Sequence, residues 1–309
     1  AFHWHYAARI LEVALVAAKT PLLYPVFVTS FKCSPDSFAV EYFKRILDER
    51  GKPYLVLQLD DHDSSMGYET RIEAGVRAFR NHAASPSPAA STAVRRGGQG
   101  GVLPRVDTKL EGRTLLVPPW DNLVIPLVAA SLRREGVDAR VLEETPLSIR
   151  KAMRHNTGQC IPLNVIAEEA MDYVEKHGLD PARAALWMPR GGLACNYPLF
   201  PPFIQSLFGS RGRGMERLGV YSRDLNLVDF GPRAALHGYR AALVGGLLRR
   251  AGCRLRPYEV EAGATNRALA AAMVLLTAAF ERGGGAAREA VRRAAELLEA
   301  VATRPGIGR

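Results

Sequence analysis

Short apolar runs alternate with longer helical patterns along most of this chain, and that alternation limits the folds open to it. Aliphatic and β-branched runs that fit short strands cover residues 24–29, 54–59, 114–117, 139–142, 184–188 and 218–221. Helical patterns separate them, and two long ones close the chain at about 232–250 and 264–302, interrupted by residues 257–259 and by the glycines at 283–285. Strands that alternate with helices form parallel sheets with right-handed crossovers. The sequence therefore predicts an α/β protein with two Rossmann-like parallel-sheet domains and C-terminal helices.

Residues 83–112 differ in composition from the rest of the chain. They are rich in Pro, Ser and Gly, with ASPSP at residues 84–88 and RRGGQGG at residues 95–101. Low hydrophobicity with these residue types is typical of a linker or a mobile loop. We therefore predict an N-terminal α/β domain over residues 1–82, a flexible linker or loop over 83–112, and a second α/β domain with C-terminal helices over 113–309.

The charge balance bears on partners. The 309 residues carry a formal net charge of +10, with arginines scattered along the chain. No basic stretch is interleaved with aromatic residues, which disfavours a nucleic-acid partner. No apolar run reaches the roughly 18 uninterrupted residues of a membrane span. The sequence predicts neither a nucleic-acid nor a membrane partner, and a basic surface would suit a small acidic ligand such as CoA.

The chain has four cysteines, and no two of them form a C-x-x-C pair. A chain of this length with so few cysteines does not resemble a disulfide framework, so a reducing, cytoplasmic location is expected. Cys253 follows a helical run, where a lone cysteine usually serves as a small buried hydrophobe.

The other three cysteines, Cys33, Cys160 and Cys195, lie in connections rich in Gly and Pro. Cys33 and Cys195 each follow a predicted strand, and Cys160 precedes a predicted helix. Open α/β sheets bind ligands at the carboxyl ends of strands, and helix amino ends favour thiolates. We therefore expect a cysteine-lined crevice between the two domains, where three thiolates could hold an iron–sulfur cluster with one iron open. A zinc site usually takes ligands in close pairs, which are absent here.

An acidic segment with a histidine, DDHDS at residues 60–64, follows the second predicted strand. The spacing within it is too tight for three ligands on one ion without a dedicated loop. We expect Asp61 and His62, with Arg71 and Glu73 in the next helix, to hydrogen-bond around a nearby site rather than bind metal.

Several motifs occur in the same order as in one known family. They are CSPDSF at 33–38, LDDH at 59–62 followed by Gly67, Thr70, Arg71 and Glu73, QCIP at 159–162, MPRGGLACNY at 188–197, and RPYE at 256–259 with Gly263. Together they resemble motifs of the acyl-CoA dehydratase activase-related proteins, in the superfamily of 2-hydroxyacyl-CoA dehydratase subunits. Ser34, Gln159 and the LACN segment at 193–196 depart from that family's pattern, and so do residues 83–112.

The resemblance implies a [4Fe-4S] cluster held by Cys33, Cys160 and Cys195, and a role in carrying low-potential electrons. It also implies an ATP-dependent activase or reductase partner and an acyl-CoA substrate. The glycines at 97–101 lack the lysine and the preceding strand of a phosphate loop, so this chain is not expected to hydrolyse ATP itself. The alternative hypothesis is a non-catalytic α/β binding or assembly module in which the cysteines are structural.

Overall fold

The computed structural model describes residues 4–30, 35–59, 65–84, 106, 109–155, 160–189, 197–223 and 227–304. The chain is a mixed α/β protein, mostly helical, with two small parallel sheets, which confirms the predicted class. No helix in the described part of the chain is long and apolar enough to cross a membrane.

The strands fall close to the predicted segments, and helices separate most of them as expected. The helices are α1 (His5–Lys19), α2 (Pro35–Asp48), α3 (Ser65–Ala84), α4 (Ile125–Arg134), α5 (Pro146–Ala152), α6 (Ile161–Lys176), α7 (Phe200–Arg211), α8 (Pro232–Leu255), α9 (Ala264–Arg282) and α10 (Ala286–Glu299). The strands are β1 (Val26–Thr29), β2 (Leu55–Gln58), β3 (Thr114–Val117), β4 (Ala139–Val141), β5 (Ala184–Trp187) and β6 (Gly219–Tyr221).

Two compact units divide the chain, and neither is continuous in sequence. Unit 1 comprises Ala1–Val106, Thr145–Met171 and Gly191–Arg217, and unit 2 comprises Asp107–Glu144, Asp172–Arg190 and Leu218–Arg309. The predicted domains 1–82 and 113–309 were instead continuous. Most of the predicted linker 83–112 lies outside the described residues, so that linker stays a prediction.

Unit 1 contains a two-stranded parallel sheet. The strands β1 and β2 pair from Val26 with Leu55 to Thr29 with Gln58, so both carboxyl ends lie at one edge. Phe27 of β1 is buried and packs edge-to-face on Phe43 of α2, with ring centroids 5.1 Å apart. Successive strand residues point to opposite faces. This sheet is therefore covered by α2 on the face that Phe27 occupies.

Unit 2 contains a four-stranded parallel sheet in the order β4-β3-β5-β6. The strands β3 and β5 are short apolar runs with little exposure, as expected of strands covered on both faces. After β3 the chain adds β4 on one side, and it later adds β5 and β6 on the other side. The direction in which strands are added therefore reverses between β3 and β5, which makes this position a topological switch point of the sheet.

The helix α8 packs into unit 2 through a row of mostly small residues. The buried positions are Ala234, Gly238, Ala241, Gly245, Leu248 and Gly252. A Cβ atom added at Gly245 would lie 2.6 Å from Cγ2 of Val124 and 3.0 Å from the carbonyl oxygen of Leu123. Only glycine allows so close an approach between the helix and the segment before α4.

Cys253 of α8 is exposed, so the prediction that it is a buried hydrophobe is wrong. It follows Gly252, the last buried residue of the α8 row. One step along a helix turns about 100° around the axis, which carries the Cys253 side chain away from the core.

Candidate functional site

Three helical segments begin directly after the three predicted ligand cysteines. The helix α2 begins at Pro35, α6 begins at Ile161, and a 3₁₀ turn from Tyr197 to Leu199 leads into α7. All three of these starts belong to unit 1. Cys33 and Cys195 themselves lie outside the described residues, whereas Cys160 is described and half-buried.

The helices α2 and α7 contact each other through two aromatic rings and an arginine side chain. The rings of Tyr42 and Phe203 are 6.0 Å apart edge-to-face, and Arg45 lies 5.5 Å above the Phe203 ring. Arg45 also donates a hydrogen bond of 3.0 Å to Oγ of Ser206. Arg45 therefore contacts both Phe203 and Ser206, and these contacts join α2 to α7.

Tyr42 is fully buried in this contact. Burial raises the pKa of its hydroxyl far above the ordinary value, while the nearby Arg45 charge lowers it by less. The hydroxyl therefore stays neutral at every physiological pH, and Tyr42 serves the packing of α2 on α7 rather than acid–base chemistry.

A buried polar row runs along α6 from Cys160. Asn164 and Glu168 follow Cys160 at intervals of four residues, which places all three on one side of the helix. Asn164 is 0% and Glu168 is 1% exposed. Arg211 at the end of α7 donates a hydrogen bond of 2.7 Å to Oε1 of Glu168. Because a buried charge is costly unless paired, the Glu168–Arg211 pair stabilises the contact between α6 and α7.

Cys160 occupies the position before the first turn of α6. Its carbonyl oxygen accepts a hydrogen bond of 3.2 Å from the backbone N–H of Leu163. Pro162 stands in the first turn, where the missing N–H costs nothing. Free N–H groups and the helix dipole favour negative charge at such a position, so the location suits a thiolate.

Of the four residues predicted to hydrogen-bond around the site, two lie within the described part of the chain and two lie outside it. Arg71 and Glu73 are exposed on α3, and Asp61 and His62 lie outside the described residues. Since β1 and β2 are parallel and in register, the segments that carry Cys33 and Asp61 leave the same edge of the sheet. This topology is consistent with the expectation that the two segments start close together. The roles of their side chains stay predictions.

Sequence reasoning missed a group of residues at the carboxyl edge of the unit 2 sheet. Trp120 follows β3 and lies 5.6 Å from Trp187, the last residue of β5, measured between ring centroids. Phe230 closes the group with its ring 6.2 Å from that of Trp187. The aromatic rings therefore border the switch point. The segment PPWD at residues 118–121, directly after a buried strand, is the signal that could have indicated them.

Asp121 anchors the start of α4 at the same edge. Its Oδ1 accepts hydrogen bonds of 2.9 Å from the backbone N–H groups of both Leu123 and Val124. Its other oxygen pairs with Arg249 of α8. Partial burial alone would raise the pKa of Asp121, but the two N–H groups and Arg249 outweigh it and lower that pKa. The carboxylate thus stays charged and joins two helices to the end of β3.

The RPYE segment at residues 256–259 has a structural function in unit 2. The Glu259 carboxylate accepts hydrogen bonds of 2.5 Å from the Gly263 N–H and 2.8 Å from the Thr265 N–H, at the start of α9. Arg256 donates a hydrogen bond of 2.7 Å to Oδ1 of Asn266 in the same turn. Gly263 has φ of +83°, which favours glycine. This motif caps α9 and does not belong to the predicted cysteine site.

In the described part of the chain, no three His, Cys, Asp or Glu side chains are grouped so that they could hold a metal ion. Two of the three predicted ligands lie outside that part, so this observation does not bear on the set Cys33, Cys160 and Cys195.

No family model, no curated protein and no solved structure matches this chain. The likeness to activase-related proteins therefore stands on the motifs alone.

Proposed function

We propose that this chain is a [4Fe-4S] redox protein in which Cys33, Cys160 and Cys195 are the cluster ligands. The observation that carries this proposal is the packing of α2, α6 and α7, the three helices that follow these cysteines, within unit 1. The Tyr42–Phe203 and Arg45–Ser206 contacts join α2 to α7. The Arg211–Glu168 pair joins α6 to α7.

This packing favours a site inside unit 1 over the crevice between two domains that the sequence predicts. A cysteine placed before each helix would have the free N–H groups of that helix nearby. Three thiolates would then share the stabilising effect of three helix amino ends. Both Rossmann-like domains remain part of the proposal, and the parallel strand order of the unit 2 sheet, which reverses between β3 and β5, supports one of them.

The residues available suit the cluster chemically. Cysteine thiolates are the usual ligands of [4Fe-4S] clusters, and three of them leave one iron without a protein ligand. When bound, such a cluster supplies one-electron chemistry and a Lewis-acidic iron. Asp61, His62, Arg71 and Glu73 would hydrogen-bond around it and tune its potential without binding iron. The Glu168–Arg211 pair joins one ligand-bearing helix, α6, to another, α7.

The wider system follows from the same proposal. The chain would receive low-potential electrons from an ATP-dependent activase or reductase and deliver them in a 2-hydroxyacyl-CoA dehydratase or related reductase system. An acyl-CoA is the expected substrate. The scarcity of cysteines outside the proposed site supports a reducing, cytoplasmic setting. ATP hydrolysis is assigned to the partner, because the glycine cluster at 97–101 lacks the lysine of a phosphate loop.

The test is the iron and sulfide content of the chain after anaerobic purification. Cys33→Ser, Cys160→Ser and Cys195→Ser should each lose the iron and the visible absorption of the cluster. Cys253→Ser is the matched control, because Cys253 is an exposed cysteine of α8 in unit 2. It should keep the iron content of the unmodified chain.

Equal loss in all four variants, or in none, would contradict the ligand assignment. A colourless, iron-free chain from the anaerobic preparation would favour the alternative, a non-catalytic α/β binding or assembly module with structural cysteines.

A further inference from the structure

The helix α8 has apolar residues on two opposite sides. Its inner side is the row of buried small residues from Ala234 to Gly252. Its outer side carries four large apolar residues, namely Leu236 (49% exposed), Tyr239 (64%), Leu243 (51%) and Leu247 (62%). At about 100° per residue these four form a stripe opposite the buried row. A surface helix normally presents polar residues on that side. We call these four residues the outer stripe.

Arginines flank the outer stripe. Arg233, Arg240 and Arg250 are exposed and fall within about 75° of its centre at the helical repeat of about 100° per residue. The helix contains no Asp or Glu at all. Within the described residues, no carboxylate forms an ion pair with any of these three arginines. The exposed side of α8 therefore carries both a large apolar stripe and positive charge that no acidic side chain of the described residues neutralises.

Two acidic groups beside α8 are already paired with other residues of that helix. Glu135 pairs with His237 at 3.0 Å, and Asp121 pairs with Arg249. Both acids serve to hold α8 on unit 2. The positive charge beside the outer stripe is consequently left for an external partner.

We propose that the outer stripe and its arginines bind an anionic membrane surface. Leu236 to Leu247 span roughly 16 Å at about 1.5 Å per residue, so the whole stripe can lie flat in the interfacial region. The leucines and Tyr239 would enter the boundary between headgroups and acyl chains, and Arg233, Arg240 and Arg250 would bind lipid phosphates or carboxylates. The sequence predicts no membrane partner because it shows only that a spanning segment is absent, not which side of α8 is exposed.

Other binding partners fit the outer stripe and its arginines less well than an anionic membrane does. A second copy of the chain would bring arginines against arginines, in a protein with a formal net charge of +10. One helix offering four apolar side chains is a narrow ridge, whereas stable protein interfaces bury about 800 Å² on each partner. A nucleic acid would neutralise the arginines but leave the four apolar side chains in water. A lipid surface satisfies both features and imposes no shape requirement.

The test is sedimentation of the full chain with vesicles of phosphatidylcholine alone and of phosphatidylcholine containing one-third phosphatidylserine. We expect binding to the anionic vesicles and its weakening by salt. Leu243→Gln combined with Leu247→Gln should lower the partition coefficient by about tenfold or more. Replacing Arg233, Arg240 and Arg250 by Gln should lower it by about fivefold per arginine.

Two matched controls lie in unit 1. Val13→Gln with Val16→Gln removes two exposed apolar residues of α1, which are 60% and 59% exposed. Arg77→Gln with Arg80→Gln removes two exposed charges of α3. Both controls should bind like the unmodified chain, and circular dichroism should show every variant folded.

Three outcomes would overturn the proposal. The first is that the chain binds the vesicles with phosphatidylserine no better than those without it. The second is that the control variants lose as much binding as the outer-stripe variants. The third is that light scattering shows a dimer, which the Leu243 and Leu247 changes abolish. The last result would assign the outer stripe to a second copy of the chain.

Discussion

Two adjacent glycines of α8 offer a sharp test of the packing in unit 2. A Cβ at Gly245 would meet Cγ2 of Val124 at 2.6 Å and the carbonyl oxygen of Leu123 at 3.0 Å. A Cβ at Gly246 would meet no atom within 4 Å. Both positions lie inside the same helix, so replacement by alanine has the same effect on the helical backbone at each. The two variants therefore differ only in the contact that the new methyl group makes.

The magnitudes follow from that difference. Alanine stabilises a helix interior relative to glycine by about 0.5–1 kcal/mol, so Gly246→Ala should stabilise unit 2 by that amount. Gly245→Ala gains the same backbone term but forces a methyl group into a filled space, which costs about 1–3 kcal/mol. The backbone carbonyl of Leu123 cannot turn aside as a flexible side chain could. Gly245→Ala should therefore be less stable than Gly246→Ala by about 1–3 kcal/mol.

The assay is urea unfolding followed by tryptophan fluorescence, because Trp120 and Trp187 both report on unit 2. Thermal unfolding is the second measurement, and each kcal/mol should move Tm by about 2–4 °C in a protein of this size. If Gly245→Ala proved as stable as Gly246→Ala, the close contact between α8 and the segment before α4 would be refuted.

Two further predictions concern carboxylates of unit 2. Asp121→Ala removes the acceptor for two backbone N–H groups at the start of α4 and should lower the free energy of unfolding by about 1–2 kcal/mol, measured in urea. The pKa of Glu259 is lowered by the polar groups around its carboxylate, first the nearby Thr265 side chain and then the backbone N–H groups of Thr265 and Gly263. Its stabilising effect is therefore fully present above the unfolded carboxyl pKa of about 4.3 and is lost as the pH falls through the lower folded value. Glu259→Gln should lower Tm at neutral pH, and the gap from the unmodified chain should shrink in acid. A gap that stays constant down to pH 2 would contradict the capping function.

The strands were the most predictable part of the fold. The predicted run 114–117 coincides with β3, and runs 184–188 and 218–221 contain β5 and β6. These strands are buried on both faces, so their sequences are short apolar runs that few other structures accommodate. The parallel pairing followed from the helices between them. Local sequence was therefore sufficient for these strands and for the fold class.

The helix α5 was not predicted, and its start explains why. Thr145 accepts a hydrogen bond of 3.0 Å from the Ser148 N–H, and Ser148 Oγ accepts one of 2.9 Å from the Thr145 N–H. This reciprocal capping normally shows in sequence as Glu or Gln at the third helical position. With serine there and only seven residues in the helix, the pattern carries no clear periodic signal.

The site was predictable only in part. The positions of Cys160 before a helix and of Cys33 after a strand could be inferred, because α6 and β1 are local features of the sequence. The buried row of Asn164 and Glu168 could not, since polar side chains on a helix normally predict an exposed side. Its burial depends on Arg211, 43 residues away from Glu168. Such a pairing is a property of the tertiary fold.

The interrupted course of the two units has a consequence for how the protein is made. The chain passes between the units at 106/107, 144/145, 171/172, 190/191 and 217/218. During synthesis, unit 1 lacks α7 until about residue 211 has emerged, and the edge strand β6 joins the unit 2 sheet only after that. Neither unit can fold to completion while the ribosome is still producing the first half of the chain. This protein therefore cannot fold in the usual order, in which an N-terminal domain folds before the next one is synthesised. For the same reason, no single cut in the chain separates it into two pieces that each contain a whole unit.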